Sequence, residues 1–347
     1  MGDDSATVTA EAPGAARQPP AGFAGARSTG PGAEPPDPHV TAAPGAARSA
    51  GPGAEPPDPH VTAAPGAALA GPSLSPSRAG DFLTCPLLYR FRVIDRLPEP
   101  PSPAAVRGTL VHSVLERLFD AAAADRTPAA ARALVEPEWS RMQEAEPDLA
   151  GLFDDDAQRA TWLDEVMGML DRYFTLEDPR RIEPAHRELC VEAVLASGLR
   201  LRGYIDRLDV APSGQMRIVD YKTGGAPPEE FEARALFQMR FYALTLWRAR
   251  GQVPKLLQLM YLGNGEIVRY EPDEADLLAT ERKIEALWLA IERAMLNRDW
   301  RPRPGRICDW CAHQAICPAF GGTPPPVPDS PVRPDDVPEP HDGTSPV

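Results

Sequence analysis

The sequence predicts an α/β fold in which a mixed sheet is flanked by helices. Three observations carry this. Helical periodicity of 3.6 dominates from Leu74 to Phe174, alternation of period two takes over from His186, and both patterns then recur in turn: strands, helix, strands, helix. The stretch Arg202–Gly225 is central. It reads as two short strands joined by a Pro212-Ser213-Gly214 turn, with Asp206 on the first and Asp220 and Lys222 on the second. Alternation places Tyr204, Asp206, Leu208 and Val210 on one face, and Met216, Ile218, Asp220 and Lys222 on another. A carboxylate in line with apolar residues demands a cation. Two such carboxylates beside a lysine suit a divalent metal and a phosphate group.

The elements follow in order. Residues 1–72 are rich in Ala, Pro and Gly and repeat GPGAEPPDPHVTAAPGAA at Gly30–Ala47 and Gly51–Ala68. No apolar pattern there offsets ordering entropy, and two proline-broken copies cannot build a solenoid, so the reading is a disordered tail. Order is expected over 73–320, followed by a second disordered, acidic and proline-rich tail at 321–347. Ser75 or Ser77 caps a helix carrying Phe82, Leu83, Leu87, Leu88 and Phe91. After the proline-rich loop 98–103, a helix from about Ala104 buries Leu110, Val111, Val114, Leu115, Leu118 and Phe119. His112 and Glu116 border that stripe, and periodicity alone makes them a boundary histidine and a solvated glutamate. Packing helices follow at about Pro128–Glu146 and Asp156–Phe174.

HRELCVEAVLA is the first strand, with Glu188 and Glu192 on one face, from which either could approach the metal although a solvent-exposed face is the plainer reading, and with Cys190 as a small buried residue. A helix from about Glu229 to Arg250 puts Gln238 and Tyr242 on one face. Gly263-Asn264-Gly265 joins two further strands as a hairpin. Pro272 opens a last helix reaching about Asn297.

The net charge of −14 argues against nucleic acid, but much of the acidity sits in tails, loops and the candidate site. Arg78, Arg90, Arg92, Arg96 and Arg107 form a local basic cluster, readable equally as solvated surface. No run is long enough to span a membrane, the N-terminal residues lack signal-peptide character, and a cytoplasmic location is expected. The five cysteines are therefore not read as disulfides. Cys308, Cys311 and Cys317 are spaced C-x2-C-x5-C, which suits one soft metal centre. Cys85 is the best fourth ligand and His313 the fallback. Zinc and an iron–sulfur cluster both fit, and the Cys-Pro pairs at Cys85 and Cys317 lean towards iron–sulfur.

Together these features resemble the RecB-like branch of the PD-(D/E)xK nuclease superfamily, in its iron–sulfur form found in AddB-type and CRISPR-associated nucleases. The motifs run from about Leu74 to Phe320: GYID at Gly203–Asp206, VDYKT at Val219–Thr223, FQMRFYA at Phe237–Ala243, RGTLVHSVLE at Arg107–Glu116, and the split cysteines. The resemblance implies a restriction-endonuclease-like core with an added helical region clasped by a [4Fe-4S] cluster on Cys85, Cys308, Cys311 and Cys317. It turns His112 into a metal ligand, with Asp206, Asp220 and the backbone carbonyl of Tyr221, for Mg²⁺ or Mn²⁺. Lys222 would position the attacking water, and Gln238 and Tyr242 would steady Lys222 or the DNA backbone. Glu116, Glu188 and Glu192 stay unassigned. The implied activity is phosphodiester hydrolysis in DNA repair or recombination, as an exonuclease on single strands or ends. A CRISPR spacer-processing nuclease and a non-catalytic DNA-binding or assembly subunit are the alternatives. No G-x-x-x-x-G-K-[ST] motif is present, so any helicase would be a separate partner.

Overall fold

The computed structural model describes residues 71–226 and 232–328. The predicted tails, the tandem repeat and the expected start of the Gln238 helix lie wholly or mostly outside these residues. Two-residue strand β1 (Ser73–Leu74) leads into α1 (Pro76–Thr84), whose N-cap is Ser75: its hydroxyl accepts from the Arg78 amide at 3.4 Å. The predicted single helix is broken here. Pro86 forces Cys85 into an extended conformation (φ −158°, ψ 115°), and α2 (Pro86–Tyr89) restarts and runs into a π turn at Arg90–Ile94. Helices α3 (Pro103–Leu118), α4 (Pro128–Ala145) and α5 (Asp156–Leu176) follow, capped by Ser102, Thr127 and Asp155.

The sheet contains β2 (His186–Val194), β3 (Arg200–Val210), β4 (Met216–Lys222), β5 (Leu256–Tyr261) and β6 (Glu266–Tyr270). Helix α6 (Glu232–Arg250) joins β4 to its parallel neighbour β5, and α7 (Glu274–Asn297) follows β6. Strands run in the order β1-β3-β4-β5-β6, with β2 antiparallel to β3. Pro272 does not enter α7. Asp273 is the cap and forms a reciprocal capping box with Asp276.

Each face of the sheet is covered. One core packs β3 and β4 residues such as Leu208 and Ile218 against α1, α2, α6 and α7. The other packs Val219, Tyr221, Met260 and Leu262 against α3, α4 and α5. Burial on both faces explains why β4 and β5 read as near-continuous apolar runs. The predicted stripe of α3 is buried throughout, as are Trp162, Leu163, Val166, Leu170 and Tyr173 of α5. Cys190 is exposed rather than buried. Its neighbours Leu189 and Val191 face the core, so alternation turns Cys190 outwards on a strand paired only to β3.

The predicted face of β3 is also wrong at one point. Ile205 and Leu208 both enter the same core although they are three residues apart. Between them the strand slips phase at Asp206 and Arg207. Across the ladder, Arg187↔Arg207 and Leu189↔Ile205 are in register, but the pair Glu188↔Asp206 is missing and Glu188 has φ +44°. On its other edge β3 pairs with β1 at Arg200 and Leu201 and with β4 only from Arg207 onwards. Asp206 thus sits where two strands part.

Candidate metal and catalytic site

The Asp206 side chain fills that parting: its Oδ2 accepts the Tyr221 amide at 2.7 Å. His112, from α3, faces the same point. One ring nitrogen, Nδ1, lies 3.6 Å from Asp206 Oδ2, and Nε2 is 2.8 Å from the Tyr221 carbonyl oxygen. The imidazole, a carboxylate and the Tyr221 carbonyl therefore meet at one point. Glu188 joins them. Among the described residues, the donor atoms of His112, Glu188 and Asp206 converge within 4.8 Å of one another. Glu188 was expected on an exposed face with Glu192. Its left-handed backbone, uncommon in a residue with a Cβ, turns it to the α3 side instead. The signal that could have found it is position: it lies across the ladder from Asp206. Glu192 stays outside, paired with Arg202 at 3.2 Å. Glu116 lines the same small recess as His112 and Glu188, and is its third acid.

Charge confirms the crowding. Burial pushes the Asp206 carboxyl up to about 6; His112 and Lys222 counter this, while Asp220 adds to it. Burial and then the charges of Asp206, Glu116 and Asp220 push Glu188 up to about 8. Several carboxylates facing one point in a dry recess are stable in their ionised form only with a cation. Oxygen donors with one imidazole fit Mg²⁺ or Mn²⁺.

Asp220 and Lys222 project from the α6 face of β4, as alternation predicted. The Lys222 ammonium lies 2.9 Å from Asp220 Oδ2 and donates to Gln238 Oε1 at 2.9 Å. Gln238 Nε2 in turn donates to the Tyr242 hydroxyl at 3.0 Å. The i,i+4 spacing on α6 builds this relay. Gly203 makes room for it, because a Cβ there would stand 2.7 Å from the Tyr242 ring.

Tyr221 links the two groups. Its amide serves Asp206, its carbonyl meets His112, and its hydroxyl accepts from Arg207 Nη1 at 2.7 Å. Arg207 is 1% exposed and pairs with Glu177 and with Asp209, the latter at 3.1 Å. Sequence reasoning missed this arginine, since a charged residue on a strand reads as a solvated one.

Cys85 lies near the start of the described chain and Cys308, Cys311 and Cys317 near its end, and backbone contacts bring the two segments together. The Arg303 amide donates to Cys85 Sγ at 3.3 Å, and two residues later the Gly305 amide donates to Cys308 Sγ at 3.4 Å. Cys311 accepts from the His313 backbone, and burial pushes its thiol up. Cys85 and Cys317 pack on the same core. Trp300 stacks on Tyr89 at 5.9 Å, fastening the same two segments. His313 is already engaged: it is buried, its Nε2 is 2.8 Å from Glu99 Oε1, and its ring meets Phe91 edge-on. The basic cluster divides: Arg96 is exposed and Arg107 is half-buried, while the rest are engaged within the fold. Arg78 and Arg90 are buried, the latter paired with Asp95, and Arg92 bridges Asp81 and Glu99.

No described helix is long and apolar enough to cross a membrane. Among curated proteins, the chain is similar to the Gene 69 protein of Mycobacterium phage L5, 29% identical over 126 residues that make up 35% of this chain and 41% of the relative. It is 25% identical to the Gene 69 protein of Mycobacterium phage D29 over 72% of this chain and 97% of the relative. A solved structure from Eubacterium rectale, described as a candidate exonuclease, superposes with a TM-score of 0.46 at 14% identity, covering 70% of this chain and 87% of its own. The profile of the PD-(D/E)XK nuclease superfamily matches residues 73–318. With His112, Asp206, Asp220 and Lys222 placed as above, the chain belongs to the PD-(D/E)XK nuclease superfamily.

Proposed function

We propose that the protein is a metal-dependent deoxyribonuclease that hydrolyses phosphodiester bonds of single strands or DNA ends as an exonuclease, in a repair or recombination role of RecB type. One observation carries the reading: the His112, Asp206, Glu188 and Tyr221 carbonyl cluster stands beside the Asp220–Lys222–Gln238–Tyr242 relay. His112, Asp206, Asp220 and the Tyr221 carbonyl would hold Mg²⁺ or Mn²⁺, with Glu188 within reach. A bound divalent ion would acidify water and offset charge on the phosphate. Lys222 is held by Asp220 and Gln238 so that its ammonium can orient the attacking water or meet charge that builds up on the phosphate. A retained fold without catalysis is not favoured, because the chain carries His112, Asp206, Asp220 and Lys222 together, whereas a degenerate module would have lost one of them. Linear and circular single-stranded DNA of one sequence, with Mn²⁺, test the exonuclease reading. Linear DNA should shorten from an end while the circle survives; rapid cutting of the circle overturns it.

The raised carboxyls give a pH prediction. Without metal, the folded protein holds protons on Asp206 and Glu188 that the unfolded chain has released above its ordinary carboxyl pKa near 4. The stabilisation from these protons is complete below about pH 4 and is lost as pH rises through about 6 and about 8. Metal binding needs the ionised forms, so the rise in melting temperature caused by Mn²⁺ should grow between pH 5.5 and 8.5. Asp206→Asn with Glu188→Gln should flatten that trend. Equal Mn²⁺ stabilisation at both pH values would count against this cluster as the metal site.

We further infer that Cys85, Cys308, Cys311 and Cys317 hold a [4Fe-4S] cluster. Backbone amides already point at the first three sulfurs, as they do around anionic thiolates. Anaerobically purified protein should be brown with stoichiometric iron and sulfide, and Cys308→Ser should bleach it. A colourless protein with one equivalent of zinc replaces the cluster by the fallback.

A further inference from the structure

The cysteine clasp presents two aromatic side chains that the fold does not use. Trp310 lies between Cys308 and Cys311 in a 3₁₀ turn and is 79% exposed; Phe320 follows Cys317 and is 51% exposed. A tryptophan on the surface gains nothing from core packing, and this type is highly buried on average. These two are nevertheless held on rigid backbone. Pro302, Pro304 and Pro318 restrict the segment, Gln314 Nε2 donates to the Cys308 carbonyl at 3.0 Å, and the Gly322 amide returns to the Cys317 carbonyl at 2.9 Å. Gly322 sits so close to the Ala315–Ile316 backbone that a Cβ would stand 2.4 Å from the Ala315 oxygen.

The surroundings are basic in an acidic protein. Arg298, Arg301, Arg303 and Arg306 precede Trp310, against Asp299 and Asp309, in a chain of net charge −14. Arg306 is exposed; Arg301 is exposed too but paired with Asp299 at 2.9 Å, and Arg303 donates to the Leu83 carbonyl. Aromatic faces next to arginines are what single-stranded nucleic acid needs: bases stack on the rings, and guanidinium groups meet the phosphates.

Helix α1 fixes the distance to the catalytic relay. Its first residue, Pro76, lies against Gly203 where the Tyr242 ring also packs, and its C-cap is Cys85 of the clasp. Nine residues at about 1.5 Å each make about 13 Å, a few nucleotides of extended strand.

We propose that Trp310 and Phe320, with Arg301 and Arg306, form a base-stacking station that grips single-stranded nucleic acid a few nucleotides from the site of cleavage. The proposal rests on the nuclease reading for its purpose but is tested apart from it. Fluorescein-labelled dT12 is titrated with the full-length protein in EDTA, where no cleavage occurs. Trp310→Ala should weaken binding about 5- to 150-fold, the range for loss of one stacked base, and Trp310→Phe should restore most of it. Arg306→Ala should lower the slope of log affinity against log salt by about 0.7. Trp310 is exposed, so the melting temperature of its variants should not move. Binding of dT12 by Trp310→Ala within twofold of wild type, or no binding by wild type, overturns the station and leaves the patch to a protein partner. Asp220→Asn keeps the two readings separate. It should lose cleavage while keeping its dT12 affinity in EDTA; unimpaired cleavage defeats the catalytic assignment whatever Trp310 does.

Discussion

Asp220→Ala should lower kcat for cleavage by about 10³-fold or more while the fold survives. The magnitude follows from what the side chain does. Asp220 is 2% exposed and holds the Lys222 ammonium at 2.9 Å, so one carboxylate serves both as a prospective metal ligand and as the anchor of the lysine. Loss of a single group that stabilises developing charge already costs about 10²–10³-fold. Losing a metal ligand as well sets that as a lower bound. Alanine also removes one negative charge from beside Asp206 and Glu188, both of which Asp220 pushes upward. That relief works against the loss of the Lys222 partner, so thermal melts of the metal-free variant are needed to separate a catalytic loss from unfolding. Lys222→Ala should lower kcat by about 10²–10³-fold with little change in Mn²⁺ affinity. The check is single-turnover cleavage of labelled single-stranded DNA with saturating Mn²⁺, beside thermal melts in EDTA. Asp220→Ala within tenfold of wild type would remove it from the catalytic set.

Arg207→Met should cost about 3–5 kcal/mol of stability, the penalty for leaving buried charges without their partner. The guanidinium pairs with Glu177, lies 3.1 Å from Asp209, donates to the Tyr221 hydroxyl, and covers the rings of Phe119 and Tyr221 at 5.5 and 5.7 Å. Methionine fills much of the volume but strands Glu177. Asp209 keeps Arg217, at 2.7 Å, so the damage centres on Glu177. Adding Glu177→Gln should recover part of the loss, a coupling that a mere packing defect would not show. Arg207→Lys should fall between, because an ammonium cannot reproduce the planar fork. Urea unfolding of the parent and the three variants settles the ordering. A loss below about 1 kcal/mol for Arg207→Met would mean that the buried network adds nothing beyond its packing.

These two residues also mark what the sequence makes legible. Asp220, Lys222, Gln238 and Tyr242 follow from regular periods, two on a strand and four on a helix, and regular backbone kept both intact. Glu188 failed because its place depends on a left-handed residue in mid-strand, and alternation assumes that none exists. Leu208 failed for the same reason one strand away, where β3 slips phase at Asp206. Arg207 was invisible because its partners Glu177 and Tyr221 lie 30 and 14 residues from it in the chain. The irregular places are thus the places where the carboxylates had to be turned towards each other. Local strain at such a point is sustained by the rigid sheet and helices around it.

The stacking of Tyr89 on Trp300 has a consequence for how the protein is made. The partners are separated by more than two hundred residues, so during synthesis the first must wait for the second. At about 5–20 residues per second, that wait is about 10–40 s. Through it α1 and α2 have neither their aromatic cover nor the Arg303 backbone that addresses Cys85, and the Cys85 thiol emerges without its three companions. The domain is therefore closed last at its oldest end: the ribosome delivers the latch first and its catch only when almost everything else is in place.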